Sequence, residues 1–155
     1  MREAALASVK RLRARLHDLS TQTSYAPVVR GLAQQAGVGT FTATRMVLEL
    51  GDIRRFATAG SFPRYLGLTP SEYSTGVTDR RGHLTKCGPR FIRAWLIQCA
   101  WVSIQSGRDA KLRAVFERLA PKIGKKRAIV AVARRLALRL RARWLAALAA
   151  PAVAA

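Results

Sequence analysis

The longest regular pattern of apolar residues lies near the end of the chain and predicts a helix over about residues 125–148. Every third or fourth residue there is apolar, in the series Ile129, Val132, Leu136, Leu140 and Trp144. This spacing places one apolar seam on a helix, which must then pack against other elements. The seam is surrounded by Arg134, Arg135, Arg139, Arg141 and Arg143. We therefore expect this helix to pack on a core with arginine facing phosphate, rather than to present a broad surface to lipid.

The same helical spacing recurs through the rest of the chain, whereas the alternation typical of strands is nearly absent. It predicts helices over residues 2–20, two over 27–50 joined by a turn, one that begins at Gly88-Pro89, and one over 111–119 that residues 121–124 end. One buried face of the helix after Pro89 should contain Ile92, Trp95, Leu96 and Cys99. We predict an all-α fold: a compact helical domain with a helix-hairpin-helix-like unit and an N-terminal coiled-coil remnant.

The first helix has a heptad seam, in which Ala5, Val9, Leu12, Leu16 and Leu19 are spaced 4-3-4-3. Because an isolated helix of this length is marginally stable, the seam needs a partner. It is the end of a longer coiled coil, a dimer contact, or an amphipathic helix folded on its own domain. We predict three parts: residues 1–24 as the end of a coiled-coil linker, 25–148 as a helical domain, and 149–155 as a disordered tail.

The net charge indicates a polyanionic partner. The chain has 28 Lys and Arg residues against 8 Asp and Glu, a formal net charge of +20. Nucleic acid is the first candidate and an anionic membrane surface is the second. The longest uncharged run, residues 94–107, is shorter than the roughly 20 residues of a membrane span. With no signal peptide, and with Cys87 and Cys99 expected to be reduced thiols, we predict a cytoplasmic protein without a membrane partner.

A glycine-rich turn, "AGVGTFTA", joins the second and third predicted helices. Gly37 and Gly39 would let backbone N–H groups approach a phosphate at the mouth of the third helix, with Thr40 as its N-cap. A tight turn without a ligand would have the same sequence. The turn is therefore a candidate DNA contact with a purely structural alternative.

A polar loop is predicted over residues 70–88, "PSEYSTGVTDRRGHLTKCG". It contains hydroxyls, among them Ser71, Ser74 and Thr75, and the cations in or just after it are Arg80, Arg81, Lys86, Arg90 and Arg93. Arginine grips phosphate with a two-pronged fork, and a serine can attack phosphorus where cations stabilise the charge on the oxygens. On composition alone, however, Ser and Thr in a loop more often cap turns.

The eight carboxylates give no credible metal cluster, so we predict no metal site and no cofactor in this chain. Neither a P-loop nor a zinc-protease motif is present. His83 is the histidine nearest to Ser74 in sequence, but a solvated loop histidine is a better interpretation than a catalytic base.

The order and spacing of four motifs resemble one family of bacterial transposases. They are "GVGTFTA", "GDIRRF", "YLGLTPSEYSTG" and "RRGHLTKCGPRFIRAWL", which together span roughly residues 28–105. The pattern is similar to the C-terminal half of the IS110 family of insertion-sequence transposases, whose members are guided by a bridge RNA.

The resemblance implies a catalytic role for Ser74, which matches the family's nucleophilic serine, and cationic roles for Lys86 and Arg93. Members of the family form a phosphoserine link with DNA. They join this helical half, through a coiled coil, to a RuvC-like half with four acidic metal ligands. The resemblance thus implies DNA and a guide RNA as partners, and Mg²⁺ only together with the acidic half. It also implies binding of a RuvC-like half, or self-association, through the first helix.

The sequence departs from the family pattern in two places. The acidic half is missing, and Ala36 replaces the proline that commonly precedes the glycine turn. We therefore expect a truncated transposase copy that binds DNA without cleaving it alone. The alternative is a non-catalytic basic module that binds nucleic acid.

Overall fold

The computed structural model describes residues 2–22, 24–75, 78–85 and 87–150, with the backbone alone for Leu19, Gln22, 71–75 and 78–83. Its elements are α1 (Arg2–Gln22), α2 (Ala26–Ala33), α3 (Thr40–Leu50), a 3₁₀ helix (Ile53–Arg55), α4 (Ser61–Tyr65), β1 (Pro70–Thr75), β2 (Thr78–Leu84), α5 (Arg90–Gln105), α6 (Ala110–Ile123) and α7 (Lys125–Ala149). The all-α class is confirmed, with one departure between α4 and α5. Lys86 and the predicted disordered tail from residue 151 onwards lie outside the described residues.

Helix α7 is the centre of the domain. It contacts α2, α4, α5, α6 and the 3₁₀ helix, and all five residues of its predicted seam are buried. Ala128, Ala133 and Ala137 are completely buried beside the seam. Their small side chains let neighbouring helices approach closely, which accounts for the alanine-rich composition of this helix.

Two of the α7 arginines that we expected to face phosphate are used inside the protein. Arg141 donates to the carbonyl oxygens of Phe56 and Ala57 and so fastens α7 to the segment after the 3₁₀ helix. Arg139 forms an ion pair with Asp109. The expectation that the whole arginine set serves a ligand was therefore wrong for these two.

The predicted buried face of α5 is confirmed at Ile92, Leu96 and Cys99, whereas Trp95 is only half-buried. Burial raises the pKa of the Cys99 thiol to about 11, so this thiol stays protonated at neutral pH. Cys87 is exposed, and both cysteines are free thiols.

Two predicted helix ends were wrong. Gly39, not Thr40, is the N-cap of α3, and Thr40 is the first helical residue. Helix α6 continues past Leu119 through Pro121 and ends only at Gly124, whose φ of +83° suits glycine. Pro121 is tolerated because it removes one hydrogen bond within the last turn, where little helix remains to be disrupted.

The predicted polar loop is a β-hairpin. β1 and β2 pair antiparallel, with Pro70 opposite Leu84 and Thr75 opposite Thr78, and the register shifts between Pro70 and Glu72. The sequence hid this hairpin because apolar residues are scarce in both strands, so no apolar face alternates with a polar one. An isolated hairpin is marginally stable in water, so its attachment to the helices matters.

Helix α1 packs on its own domain at its C-terminal end only. Its end packs on α2 and α3, where Ser20 is buried, and Leu16 is half-buried. Further towards its start the seam is open to solvent, with Val9 46% and Leu12 60% exposed. Half of the heptad seam is therefore covered by no element in the described part of the chain.

We expect the chain to self-associate through this open seam. Val9→Glu with Leu12→Glu should make it monomeric, because charges in a coiled-coil seam oppose pairing. Ala7→Glu with Ala14→Glu is the control, since it adds the same charge on exposed positions away from the seam. Light scattering over a concentration series measures the mass. A wild-type chain that stays monomeric throughout would end the idea.

The start of α6 is fixed by Asp109. Its carboxylate accepts from the Leu112 N–H at 3.0 Å and from Gln35 Nε2 at 2.9 Å, and it pairs with Arg139. Partial burial alone would raise the pKa of Asp109, but these hydrogen bonds and the Arg139 charge outweigh it and lower the pKa below 3.8. One side chain thus joins the segment after α2 to α6 and α7.

Asp109→Ala should lower the free energy of unfolding by about 1–2 kcal/mol through loss of the cap. Asp109→Asn is the matched control, because asparagine also caps helices but carries no charge. Since the folded-state pKa is depressed, the carboxylate's charge stabilises the fold above pH 3.8 and ceases to do so as the pH falls through the folded-state value. In urea unfolding, the wild type should therefore have a higher free energy of unfolding than Asp109→Asn at neutral pH, and this difference should shrink in acid. A difference that does not change with pH would contradict this.

Candidate nucleic-acid interface

The base of the hairpin is held against α4. The Thr85 N–H donates to the Thr69 carbonyl at 3.1 Å and closes the two ends of the hairpin. Gly88 follows with a φ of +84°, and a Cβ at this position would lie 1.9 Å from the Tyr65 carbonyl oxygen. Only glycine fits there, so the segment after β2 lies directly on the last turn of α4.

Arg93 adds a second connection at the same point. From the first turns of α5 it donates to the carbonyl oxygens of Leu66 and Cys87, both at 3.2 Å. This cation, predicted to contact phosphate, therefore joins the end of α4 to the segment that follows the hairpin. Arg90 is exposed at the first position of α5, close to this junction.

The candidate nucleophile lies in the hairpin itself. Ser74 belongs to β1 and is opposite Asp79, while Arg80 and Arg81 of β2 are opposite Tyr73 and Glu72. Paired residues of an antiparallel ladder have Cα atoms only about 4.5–5.5 Å apart. The register therefore places Arg81 on the same face of the ladder as Ser74, and Arg80 on the opposite face. It also places Asp79 beside Ser74, which the loop interpretation missed because the pairing appears only once the hairpin is known.

Gly37 is required by packing, not by an open approach to a ligand. Its φ is +82°, and a Cβ would lie 2.4 Å from both the Cys99 carbonyl oxygen and the Ser103 Oγ. The buried Ser103 hydroxyl also bonds the turn at the carbonyl of Ala36. The structural alternative for the glycine turn therefore holds at this residue.

Gly39 and Thr40 are in a different position. Both are exposed, and a Cβ on Gly39 would meet no atom within 4 Å. Gly39 has an ordinary φ of −86° and no side chain caps α3. A ligand can therefore reach this corner without any rearrangement of the protein.

The predicted site residues fall into two groups. The turn touches α5 at Cys99 and Ser103, whereas the hairpin joins α5 at its first residues. At 1.5 Å per helical residue, these points are about 15–20 Å apart along α5. Gly37 is therefore well separated along α5 from the base of the hairpin.

An exposed cluster of aromatic and arginine side chains lies between the two groups. We call Phe41, Arg45, Phe91 and Trp95 the aromatic–arginine surface. The Arg45 guanidinium lies 4.3 Å from the Trp95 ring centroid and 5.7 Å from that of Phe91, and Phe41 lies 6.2 Å from Trp95. Phe91 is 63% exposed. Sequence reasoning missed this surface, although Phe41/Arg45 and Phe91/Trp95 each have i, i+4 spacing.

A further arginine lies close to the hairpin base. Arg55, from the "GDIRRF" motif, lies 4.8 Å from the ring centroid of Tyr65 and 4.7 Å from that of Phe56. It is exposed, and Tyr65 is the residue whose carbonyl faces Gly88. The motif arginine thus adds positive charge where the hairpin leaves the helical domain.

The carboxylates of the same region are surface ion pairs. Glu49 lies 3.6 Å from Arg45, and Asp52 lies 3.0 Å from Arg54, whose hydrogen bond lowers the pKa of Asp52. Over the described residues, no group of three or more His, Cys, Asp or Glu side chains could hold a metal ion. Within the same residues, no helix is both long and apolar enough to cross a bilayer.

Residues 29–117, more than half of the chain, match the family model described as Transposase IS116/IS110/IS902 family. The chain belongs to this transposase family. The matched part includes the glycine turn, the hairpin, α5 and half of α6. The family resemblance of the sequence motifs is thereby confirmed.

Three relatives within this broad group of transposases illustrate the match. The transposase y4qE of Sinorhizobium fredii is 41% identical over 78 residues, 50% of this chain and 20% of the relative. The transposase for insertion sequence element IS1328 of Yersinia enterocolitica is 36% identical over 80 residues, which are 48% of this chain and 24% of the relative. The probable family 20 transposase of Pseudomonas aeruginosa is 35% identical over 72 residues, which are 46% of this chain and 21% of the relative. The matched part of the chain thus spans about a fifth to a quarter of each relative.

The two turn glycines of this transposase domain should respond differently to alanine. Gly37→Ala should lower the free energy of unfolding by about 2 kcal/mol or more. The alanine would have to adopt a left-handed backbone conformation, and its Cβ would clash with α5. Gly39→Ala should lower the free energy of unfolding by less than about 1 kcal/mol. If the free energy of DNA binding falls by more than the stability does, the Gly39 backbone contacts phosphate. Thermal melts and DNA titrations of both variants measure this. Equal stability of Gly37→Ala and wild type would refute the packing role.

Proposed function

We propose that this chain is the serine-bearing, DNA-binding part of an insertion-sequence transposase, in which Ser74 attacks a DNA phosphodiester. The observation that carries the proposal is the hairpin within the family match. It contains Ser74 with two arginines on the paired strand, and its base is fixed by Gly88 and Arg93. Rigid support of a reacting group is what positional catalysis requires.

The proposed reaction exchanges one phosphate ester for another. The Ser74 oxygen bonds to phosphorus, and the bond from phosphorus to one DNA end breaks. The serine proton passes to a base, and the leaving oxygen of that DNA end takes up a proton from the same base or from water and becomes a hydroxyl. Arg81, on the face of Ser74, and Lys86 would stabilise the charge that gathers on the phosphoryl oxygens, while Arg80 lies on the opposite face.

The proton acceptor is the incomplete part of the site. Asp79 is the carboxylate residue that the register places opposite Ser74, and its contribution can be tested with Asp79→Asn. The described carboxylates do not form a donor set for Mg²⁺, so metal chemistry is assigned in this proposal to a RuvC-like half. We propose that such a half, or a second copy of the chain, binds through α1, and that a guide RNA joins the complex.

The second candidate is a basic module that binds nucleic acid without catalysis. The aromatic–arginine surface favours it, because aromatic rings stack on unpaired bases and cations bind the backbone without any reacting group. DNA binding is common to both candidates, and only covalent chemistry at the hairpin separates them.

The test combines this chain with the other parts of the proposed complex. Wild-type and Ser74→Ala chains are each mixed with the RuvC-like half of a full-length relative, its guide RNA, Mg²⁺ and end-labelled DNA. Denaturing gels show the covalent protein–DNA adduct, and anisotropy shows binding. Ser74→Ala should reduce the adduct by at least about 10³-fold, as expected for loss of a nucleophile, while DNA affinity stays within about twofold. Ser71→Ala and Thr75→Ala are the matched hydroxyl controls.

The remaining outcomes decide between the candidates. An adduct that survives Ser74→Ala but disappears with Ser71→Ala or Thr75→Ala would show that another hydroxyl reacts. DNA binding with no adduct from any chain, in a mixture where the full-length relative does form one, would favour the non-catalytic module.

A further inference from the structure

A second basic feature lies at the other end of α5 from the hairpin. It is an open groove of about 750 Å³ between the segment after α2, the start of α6 and residues 139–143 of α7. Four cations line it, namely Arg108, Lys111, Arg139 and Arg143, against one carboxylate, Asp109. No part of the proposed reaction uses these residues.

The carboxylate in the groove is already engaged. Asp109 caps α6 and bonds to Gln35 and Arg139, so Arg139 is the cation that balances it. Arg108, Lys111 and Arg143 are exposed. Arg143 has one long contact, 3.5 Å to Gln34 Oε1. The three exposed cations therefore give the groove a net positive charge.

The shape of the groove suits a chain of anions. Of the three exposed cations, Arg143 belongs to the α7 wall of the groove, and Arg108 and Lys111 belong to the wall at the start of α6. The lining also includes Ala36, Ala110 and Ala142, whose small side chains leave room for a ligand. Cations on two walls can contact successive groups of a polymer, whereas a single small anion would engage only some of them.

We propose that this groove binds the sugar–phosphate backbone of a nucleic acid, as a second contact separate from the hairpin. The proposal extends the proposed function to a second surface and requires no reaction at Ser74. Charge complementarity supports it, because phosphate is the anion that arginine forks match best.

The length of α5 sets the spacing of the two contacts. Its 16 residues correspond to about 24 Å, with the hairpin at its first residue and Arg108 just beyond its last. At 3.4 Å per base pair, this distance equals about seven base pairs of a duplex. One nucleic acid can therefore reach both surfaces.

An anionic lipid surface fits the groove less well. The apolar seam of α7 is buried in the core, so this end of the helix has no broad apolar face to insert beside the cations. The groove is also concave, and its charges lie on walls. Vesicles nevertheless provide a direct comparison in the test.

The test replaces the three exposed cations and leaves the Asp109–Arg139 pair intact. The groove variant is the triple substitution Arg108→Gln/Lys111→Gln/Arg143→Gln. This variant and the wild-type chain are each titrated with labelled DNA and RNA duplexes of about 20 base pairs, at salt concentrations between about 50 and 200 mM. The slope of log affinity against log salt should become shallower by about 2–3, because each lost phosphate contact removes about 0.9. Affinity at the lower salt should fall at least about tenfold.

The control removes the same charge elsewhere on the same helix. The control variant is Lys125→Gln/Lys126→Gln/Arg127→Gln. All three residues are exposed in the first turn of α7, where removing cations does not weaken the helix, because positive charge there opposes the helix dipole. Its slope should change by less than about 1. Far-UV circular dichroism and thermal melts confirm that both triple variants are folded. A hairpin variant, Arg80→Gln/Arg81→Gln, is measured alongside.

Each outcome has one meaning for the groove. If the groove variant and the α7 control have the same affinity and the same salt slope on both duplexes, the groove proposal is overturned. If the hairpin variant loses affinity in that case, the proposed function stands. A groove effect with an unaffected hairpin variant supports the groove and counts against the hairpin as the DNA site. An effect on one duplex type identifies that polymer as the ligand. Weaker binding to phosphatidylserine vesicles with unchanged duplex binding would assign the groove to lipid.

Discussion

The close packing of α7 against its neighbours is the constraint on which the domain depends. Its alanines remove side-chain volume where helices approach, and its apolar seam fills the space that remains. Because the burial of α7 fixes α2, α5 and α6 around one axis, features at the surface hold fixed distances from one another. Arg141 and the Asp109–Arg139 pair extend the same packing into polar contacts. Arginines that give the chain its charge thus also hold its core elements together.

Helix α5 sets the arrangement of the functional features. The hairpin base lies at its start, the aromatic–arginine surface along its first turns, the glycine turn further on, and the basic groove beyond its end. The axis of α5 therefore fixes the order and the spacing of these features. This arrangement explains why a single pocket does not account for the predicted residues.

Helical periodicity allowed most of the fold to be predicted, including the α7 seam and three of four residues on the α5 face. The hairpin was missed because its strands have no apolar face, and it is stabilised instead by Gly88 and Arg93 at its base. Gly37 could not be assigned from sequence, since a glycine in contact with α5 and a glycine open to phosphate form the same motif. Ser74 came from the family resemblance. Its neighbour Asp79 emerged only from strand pairing, which depends on contacts distant in sequence.

The two cysteines differ in a way that has a chemical consequence. Cys99 is buried with a pKa of about 11, so almost none of it is thiolate at neutral pH, and thiolate is the form that reacts with electrophiles. Cys87 is exposed in the segment whose carbonyl accepts from Arg93. A maleimide dye would therefore label the neck of the hairpin alone, without any engineered residue. The native chain thus contains its own labelling site for a spectroscopic probe, next to the contact that joins the hairpin base to α5.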